Sequence, residues 1–219
     1  MSQELHLQLN PRKTLFYRVV ALVIRALAVV WFRPSVRGRE NIPATGPVLV
    51  APIHRSNLDF AFTLFISPRK VFFMAKDSLF RVPVLGPALV QLGAFPVTRG
   101  SADREALRSA QEVLEAGHAL ILFPEGTRKF GPHVETLHDG AMFIAARTGA
   151  TVVPVGIAGT DRALRDGAKF PRPVKVHVVV GAPIAPLVSE GRPSRSAIAQ
   201  KSEELRRALE AVYHDSLRS

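Results

Sequence analysis

Short apolar runs alternate along this chain with amphipathic stretches whose apolar positions recur at helical spacing. Apolar runs of this length predict strands buried on both faces, whereas spacings of three and four residues predict helices. The predicted strands are residues 47–53, 70–75, 95–97, 119–123, 151–157 and 174–180. The predicted helices are residues 57–66, 83–92, 140–147 and 196–213, with a further helix that Ser101 caps and Gly117 ends. This alternation predicts an α/β fold with a central mixed sheet flanked by helices, forming a single domain over residues 35–219.

The N-terminal segment, residues 1–34, carries a different pattern. Residues 14–32 are almost all apolar and are interrupted by Arg18 and Arg25, which are seven positions apart and so share one helical face. A spanning helix needs about 20 largely apolar residues, and a central arginine is costly there. We therefore expect a membrane-interacting helix that lies in the interface, with its arginines reaching lipid phosphates. A core helix with two partly exposed arginines is the alternative interpretation.

The amino-acid composition favours some classes of binding partner and excludes others. The 219 residues carry a net charge of +11, which favours polyanions such as nucleic acid, anionic lipid or phosphorylated substrates. One Trp and two Tyr are too few to interleave with the basic residues, so we expect an anionic phospholipid membrane and no nucleic acid. The absence of cysteine excludes disulfides, thiolate zinc sites and a cysteine nucleophile. Three scattered histidines, His118, His133 and His138, lack metal-ligand spacing, and we expect no metal.

The first motif follows the predicted strand that ends near residue 53. Residues 54–59 read HRSNLD, with His54 five positions before Asp59. Histidine titrates in the range useful for removing a proton from an alcohol, and a carboxylate on its other ring nitrogen fixes the tautomer. If His54 lies in a strand-to-helix loop and Asp59 in the first helical turn, the two side chains can meet. The alternative is a surface histidine with an unrelated aspartate at a helix start.

The second motif follows the predicted strand 119–123 and reads FPEGTR at residues 123–128. Gly126 permits a bend that exposes main-chain amides toward an anion, and Arg128 offers a bidentate fork for phosphate. Thr127 can bond a phosphate oxygen, and Glu125 can accept a hydrogen bond from a substrate hydroxyl. An ordinary turn with an Arg–Glu surface pair remains the alternative.

Two further basic residues stand at predicted strand ends. Arg99 follows strand 95–97 and is the best second phosphate ligand, although a solvated loop charge is the simpler interpretation. Lys76 follows strand 70–75 and can contact an acyl donor or a phosphate, or be merely exposed. In α/β sheets polar chemistry gathers at the carboxyl ends of strands. The motifs together predict an enzyme that deprotonates a hydroxyl on a phosphate-bearing substrate.

These blocks resemble the glycerolipid acyltransferase family, specifically the 1-acyl-sn-glycerol-3-phosphate acyltransferases. The resemblance rests on residues 54–59, on 95–100 with Arg99, on 123–128 and on VVPV at 152–155. It implies transfer of a fatty acyl group from acyl-CoA or acyl carrier protein to lysophosphatidic acid, with no other cofactor, at the cytoplasmic face of a membrane.

The resemblance also implies residue roles. His54 would be the general base and Asp59 its orienting partner. The acceptor phosphate would be held by Arg99, Gly126 and Arg128. Its glycerol part would be positioned by Glu125, and Pro154 would shape the acyl-donor site. One departure concerns the acceptor, because His138 stands where relatives often carry lysine. Another lysophospholipid or a lyso-amino-acid lipid is therefore an alternative acceptor, and a non-catalytic protein that binds anionic lipid is a second alternative.

Overall fold

The computed structural model describes residues 11–63, 65–67, 69–97, 104–187 and 193–219. Its strands form one seven-stranded sheet in the order β1-β7-β6-β2-β5-β3-β4. The strands are β1 Ser35–Arg37, β2 Val48–Pro52, β3 Val71–Lys76, β4 Ala94–Val97, β5 Ala119–Ile121, β6 Thr151–Ala158 and β7 His177–Val180.

The sheet is mixed, as predicted. Neighbouring strands are parallel within a central block of five strands, β6-β2-β5-β3-β4. Beyond this block, β7 is antiparallel to β6, and the edge strand β1 is parallel to β7. Every side chain of β2 and β5 is buried, which explains their unbroken apolar runs. Because the five strands of the central block share one direction, the loops that follow them emerge at the same edge of the sheet.

Helices cover the sheet and connect its strands. They are α1 Pro11–Phe32, α2 Asp59–Thr63, α3 Asp77–Phe80, α4 Leu85–Gln91, α5 Arg104–Glu115, α6 Gly140–Thr148, α7 Thr160–Ala163 and α8 Arg195–Leu217, with a 3₁₀ turn at Arg39–Asn41. The long helix α8 packs against β6 and β7. Close approach requires glycine in β6, because a Cβ on Gly156 would lie 2.3 Å from the main-chain oxygen of Val212. The α/β fold class predicted from the sequence is confirmed.

Helix α1 has two apolar faces with different surroundings. One face is buried against the body of the protein through Tyr17, Ala21, Ala28 and Phe32. The other face leaves large apolar side chains exposed, namely Leu15, Val19, Leu22, Val23, Leu27, Val29, Val30 and Trp31. In the part of the chain described here, no helix has both the length and the apolar character needed to cross a membrane.

The two arginines of α1 differ in the same way. The guanidinium of Arg25 is partly buried and donates to the main-chain oxygen of Ser67 at 3.4 Å, whereas Arg18 is exposed. Burial lowers the pKa of Arg25. The helix therefore has features of both predicted alternatives: it packs on the domain like a core helix and keeps an apolar face outward like an interfacial one.

Several element boundaries differ from the predictions. The helix expected over 57–66 is confined to Asp59–Thr63, and the strand expected over 174–180 begins only at His177. The short edge strand β1 was not predicted, because three residues give no usable periodicity. Ser101, the predicted cap of α5, lies outside the described residues.

Candidate active site

The two sequence motifs meet at one edge of the sheet. His54 follows the carboxyl end of β2, and residues 123–128 follow the carboxyl end of its parallel neighbour β5. Main-chain bonds join the two loops: the amide of Lys129 donates to the carbonyl of His54 at 2.8 Å. The loop after β6, on the other side of β2, contributes Thr160 at the start of α7. Strand direction thus places residues far apart in sequence at a common site.

His54 and Asp59 form the predicted pair. Nδ1 of His54 lies 3.0 Å from Oδ2 of Asp59, and the imidazole ring stacks on Phe123 with ring centres 4.2 Å apart. The His54 side chain is 12% exposed and that of Asp59 is 0% exposed. Because Asp59 opens the short helix α2, the loop before it can fold the carboxylate back onto the histidine.

Asp59 is held by four donors, so its carboxylate is fully satisfied although it is buried. Oδ2 accepts hydrogen bonds from the amides of Arg55 at 2.6 Å and Ser56 at 2.7 Å, in addition to His54 Nδ1. Oδ1 accepts a hydrogen bond from the Thr160 hydroxyl at 2.6 Å. A carboxylate that only accepts hydrogen bonds, as the ionised form does, matches this set of four donors.

The environment of Asp59 assigns the histidine tautomer. The ionised carboxylate can only accept a hydrogen bond, so Nδ1 of His54 carries the proton and Nε2 carries the lone pair. Among the described residues, none forms a hydrogen bond with Nε2. An imidazole held through Nδ1, with its basic nitrogen free, can accept a proton from an alcohol.

Glu125 lies in the interior and is bound by residues of the first motif. Its carboxylate, whose side chain is 0% exposed, pairs with Nη1 of Arg55 at 2.9 and 2.8 Å and accepts from the amide of His54 at 2.9 Å. Arg55 also donates to the carbonyl of His133 at 2.8 Å and lies 5.0 Å from the ring centre of Tyr213, whose pKa burial raises. Both oxygens are thus occupied in the interior, and Glu125 holds the main chain of the loop at residues 54–58, the histidine loop. Its implied contact with the acceptor stays a prediction.

Gly126 makes the turn of the second motif possible. Its φ is +71°, a left-handed conformation that side chains other than glycine rarely adopt. A Cβ at this position would also lie 2.8 Å from the ring of His138, whose amide donates to the carbonyl of Pro124 at 2.9 Å. His138 therefore packs directly on this turn.

The basic end of the turn is not free in this state. Nη1 of Arg128 pairs with Oδ1 of Asp166 at 2.7 Å, and both side chains are partly exposed. Thr127 is exposed, and its amide donates to the carbonyl of Glu125 at 2.8 Å. An anion that binds this turn has to compete with Asp166 for Arg128.

The other predicted site residues are placed separately. Lys76 is exposed at the end of β3, at the same sheet edge as His54. Pro154 is buried within β6, where it is paired with Ala51 of β2. Its implied contact with an acyl donor stays a prediction. Arg99 lies outside the described residues.

Residues that sequence reasoning missed complete the site. Arg55 and Thr160 bind the two buried carboxylates, and Asp166 binds Arg128. No local pattern connects these residues, because each contact joins loops from different strands. A second missed group, His133 with Glu210 and His214 on α8, lies beyond Arg55. Its sequence signal was the four-residue spacing of Glu210 and His214.

Comparisons with known proteins agree with this architecture. A 1-acyl-sn-glycerol-3-phosphate acyltransferase from chloroplasts of Arabidopsis thaliana is 27% identical over 180 residues, which cover 80% of this chain and 50% of the relative. A Bacillus subtilis protein of the same name is 25% identical over 197 residues, covering 90% of this chain and 96% of that protein. The chain spans about half the length of the chloroplast relative.

A solved structure shares the fold. The crystal structure of the 1-acyl-sn-glycerophosphate (LPA) acyltransferase PlsC from Thermotoga maritima superposes with a TM-score of 0.74 at 29% identity, covering 93% of this chain and 81% of that one. The family model described as Acyltransferase matches residues 33–158, which is more than half of the chain. The match includes the histidine loop, the turn at residues 123–128 that we call the glycine turn, and β6. This chain belongs to the acyltransferase family.

Proposed function

We propose that this protein transfers a fatty acyl group from a thioester donor to the free hydroxyl of lysophosphatidic acid, which forms phosphatidic acid. The observation that carries the proposal is the His54–Asp59 pair, with a free Nε2, beside a glycine turn that ends in Arg128. The names of the Arabidopsis, Bacillus and Thermotoga proteins, which specify lysophosphatidic acid or 1-acyl-sn-glycerol-3-phosphate, support the choice of acceptor.

The chemistry follows from the tautomer. Nε2 of His54 takes the proton of the acceptor hydroxyl as its oxygen attacks the thioester carbonyl, and the negative charge of Asp59 stabilises the imidazolium. The tetrahedral intermediate then collapses, the carbon–sulfur bond breaks, and the thiolate receives the proton from His54. The acyl group passes directly to the acceptor, so no covalent acyl-enzyme and no cofactor beyond the acyl donor is required. Acyl-CoA and acyl carrier protein both supply the thioester.

The acceptor phosphate binds at the turn of the second motif. Arg128 supplies the charged fork, Gly126 the exposed main chain and Thr127 a hydroxyl, with Arg99 as a second cation. In this proposal the phosphate replaces Asp166 as the partner of Arg128. A phosphomonoester carries more negative charge than one carboxylate, and this difference favours the exchange.

Membrane docking completes the proposal. Helix α4 packs against α1, and Val82, Val84 and Leu85, just before and at the start of α4, are exposed like the outer face of α1. Large exposed apolar side chains on neighbouring helices are typical of a lipid-binding face. With a net charge of +11 the protein is attracted to anionic phospholipid at the cytoplasmic face of a membrane, where a lysophospholipid acceptor is available.

The first experiment measures thiol release from an acyl-CoA by the purified protein in detergent. Lysophosphatidic acid and lysophosphatidylglycerol are supplied separately as acceptors. We expect release that depends on lysophosphatidic acid and falls at least about 100-fold in His54→Ala, since general-base catalysis contributes roughly 10²–10⁴-fold. His118→Gln is the matched control, because this histidine precedes β5 at the opposite edge of the sheet.

Each other outcome has a definite meaning. Release with lysophosphatidylglycerol alone keeps the mechanism and changes the acceptor class. Near-normal activity in His54→Ala removes the general-base role. If acyl-CoA gives no release with either acceptor, acyl carrier protein is tested as the donor. Failure with both donors, together with lipid binding that survives His54→Ala, indicates a non-catalytic lipid-binding protein.

A further inference from the structure

A second cluster of titratable side chains lies where the loop before α6 meets α8. Glu210 and His214 are four residues apart on α8 and therefore lie on one face of the helix. His133 reaches them from the loop that follows the glycine turn. The three side chains place one carboxylate oxygen and two imidazole nitrogens within 4.8 Å of one another.

The distances within the cluster approach those of a coordination sphere. Nδ1 of His133 lies 2.9 Å from Oε1 of Glu210, and Nε2 of His214 lies 3.2 Å from the same oxygen. Ligands at zinc bond lengths of 2.0–2.1 Å in a tetrahedron are about 3.3 Å apart. The side chains would thus need only small rotations to share one ion.

His214 provides an independent observation. Its Nε2 is shielded from solvent and, although close to Glu210, makes no hydrogen bond of acceptable geometry. Buried polar atoms normally have a partner, and an exception requires an explanation. In the tautomer protonated on Nδ1, this nitrogen has a lone pair that can coordinate a metal ion.

The local charge is mixed, because Arg206, Arg207 and Arg218 line the adjoining groove together with Asp215. The guanidinium of Arg206 lies 3.9 Å from Glu210 but makes two shorter bonds to Glu203, at 2.8 and 2.9 Å. Oε2 of Glu210 is held by the amide of Val134 at 2.7 Å, which leaves Oε1 directed toward the two imidazoles. A groove of about 380 Å³ borders Glu210 and His214 and gives water access to the remaining coordination positions.

We propose that His133, Glu210 and His214 bind a divalent transition metal ion of the zinc class. Two imidazoles and one carboxylate form a donor set that binds zinc in preference to magnesium or calcium, because those two ions select oxygen ligands. Water fills the remaining position. The ion binds through Nδ1 of His133 and Nε2 of His214, so both imidazoles are neutral in the complex.

The site is connected to the candidate active site through hydrogen bonds of the Arg55 and Glu125 side chains. The carbonyl of His133 accepts the hydrogen bond from Arg55, which in turn holds Glu125 and, through it, the amide of His54. An ion that fixes the side chain of His133 therefore fixes the acceptor of this arginine. The effect on catalysis rests on the proposed function, whereas the binding of the ion does not.

The test is calorimetric titration of ZnCl₂ into the untagged, chelator-treated full chain in detergent. We expect one ion per chain and an affinity that falls at least about tenfold in His133→Gln and in His214→Gln. His133 is exposed, so its substitution carries little risk to folding. His177→Gln removes a histidine on β7 and is the matched control, with unchanged affinity expected.

A spectroscopic measurement separates this site from others. Co²⁺ in place of zinc should give the visible absorption of a nitrogen- and oxygen-ligated ion, and the absorption should be lost in His133→Gln but retained in His177→Gln. The absence of stoichiometric binding overturns the proposal, as does binding that all three variants retain equally. Metal binding without an effect on acyl transfer leaves the site intact and removes only its connection to Arg55.

Discussion

The buried pair of Arg55 and Glu125 provides the sharpest test of how the site is held together. Both side chains are almost fully buried, at 2% and 0% exposure, and share two hydrogen bonds at 2.8 and 2.9 Å. Removing one partner leaves a buried charge without compensation, which typically costs about 3–5 kcal/mol. We therefore expect Arg55→Met and Glu125→Leu each to lower the free energy of unfolding by about that amount.

The double variant distinguishes an ion pair from two independent contributions. With both charges gone, the remaining cost comes from the amide of His54 and the carbonyl of His133, each of which loses one partner. At about 1–3 kcal/mol for each unsatisfied buried polar group, the two groups together cost about 2–6 kcal/mol, so the double variant should be destabilised by less than the sum of the two single effects. At about 2–4 °C per kcal/mol for a protein of this size, the single variants should melt about 6–20 °C below the parent.

Thermal and urea unfolding in detergent measure these differences. The matched control is Arg81→Met, which breaks an exposed pair with Asp77 at 3.5 Å and should change stability by less than about 1 kcal/mol. If Arg55→Met is no more destabilising than this control, or if the two single effects simply add, the reasoning from burial is refuted.

Kinetics of Glu125→Gln then separate positioning from acceptor binding. Glutamine keeps one oxygen for the amide of His54 but weakens the bond to Arg55. A positioning role predicts a lower kcat with little change in the KM for the acceptor, because the base is displaced. A raised acceptor KM at unchanged kcat would instead indicate direct contact with the substrate.

Three further predictions follow from single contacts. Arg128→Ala should raise the KM for a phosphorylated acceptor about tenfold or more, and Asp166→Asn should lower this KM. A change in the KM for the acyl donor alone would contradict the phosphate role. Thr160→Val should lower the melting temperature in detergent, because it removes a hydrogen-bond donor from the buried carboxylate of Asp59 at a cost of about 1–3 kcal/mol. An unchanged melting temperature would show that this hydrogen bond is dispensable. Burial and neighbouring positive charges lower the pKa of His118 below its ordinary 6.5, so the unfolded chain binds the proton more readily than the folded protein. The free energy of unfolding should therefore fall as the pH drops below about 6.5. His118→Gln should reduce this pH dependence, and an equal dependence in both proteins would refute the assignment.

The sequence predicted what depends on local pattern. Unbroken apolar runs located the central strands because those strands are buried on both faces. His54 and Asp59 were paired correctly because five residues fit a strand-to-helix loop. The hydrogen-bond partner of Glu125 could not be predicted, because Arg55 is 70 residues away in the sequence. The two residues meet only because β2 pairs with β5.

The same limit applies to the remaining contacts. Asp166 and the cluster around Glu210 are positioned by loops and helices whose packing no periodicity encodes. Charge alone favoured the interpretation of Arg128 as free to bind an anion, whereas the fold supplies a carboxylate partner. The outward and inward faces of α1 were also inseparable in the sequence, because both are apolar.

The hydrogen bond between Thr160 and Asp59 joins residues 101 positions apart and has a consequence for the order of folding. The loop of Asp59 is synthesised early, but its carboxylate has its full set of donors only after β6 has paired with β2 and delivered Thr160. Parallel pairing over such separations is slow, because the chain between must be ordered first. A nascent or truncated chain that ends before residue 160 would hold both motifs and still lack an assembled site, so catalytic competence should emerge as a late event in the maturation of the polypeptide.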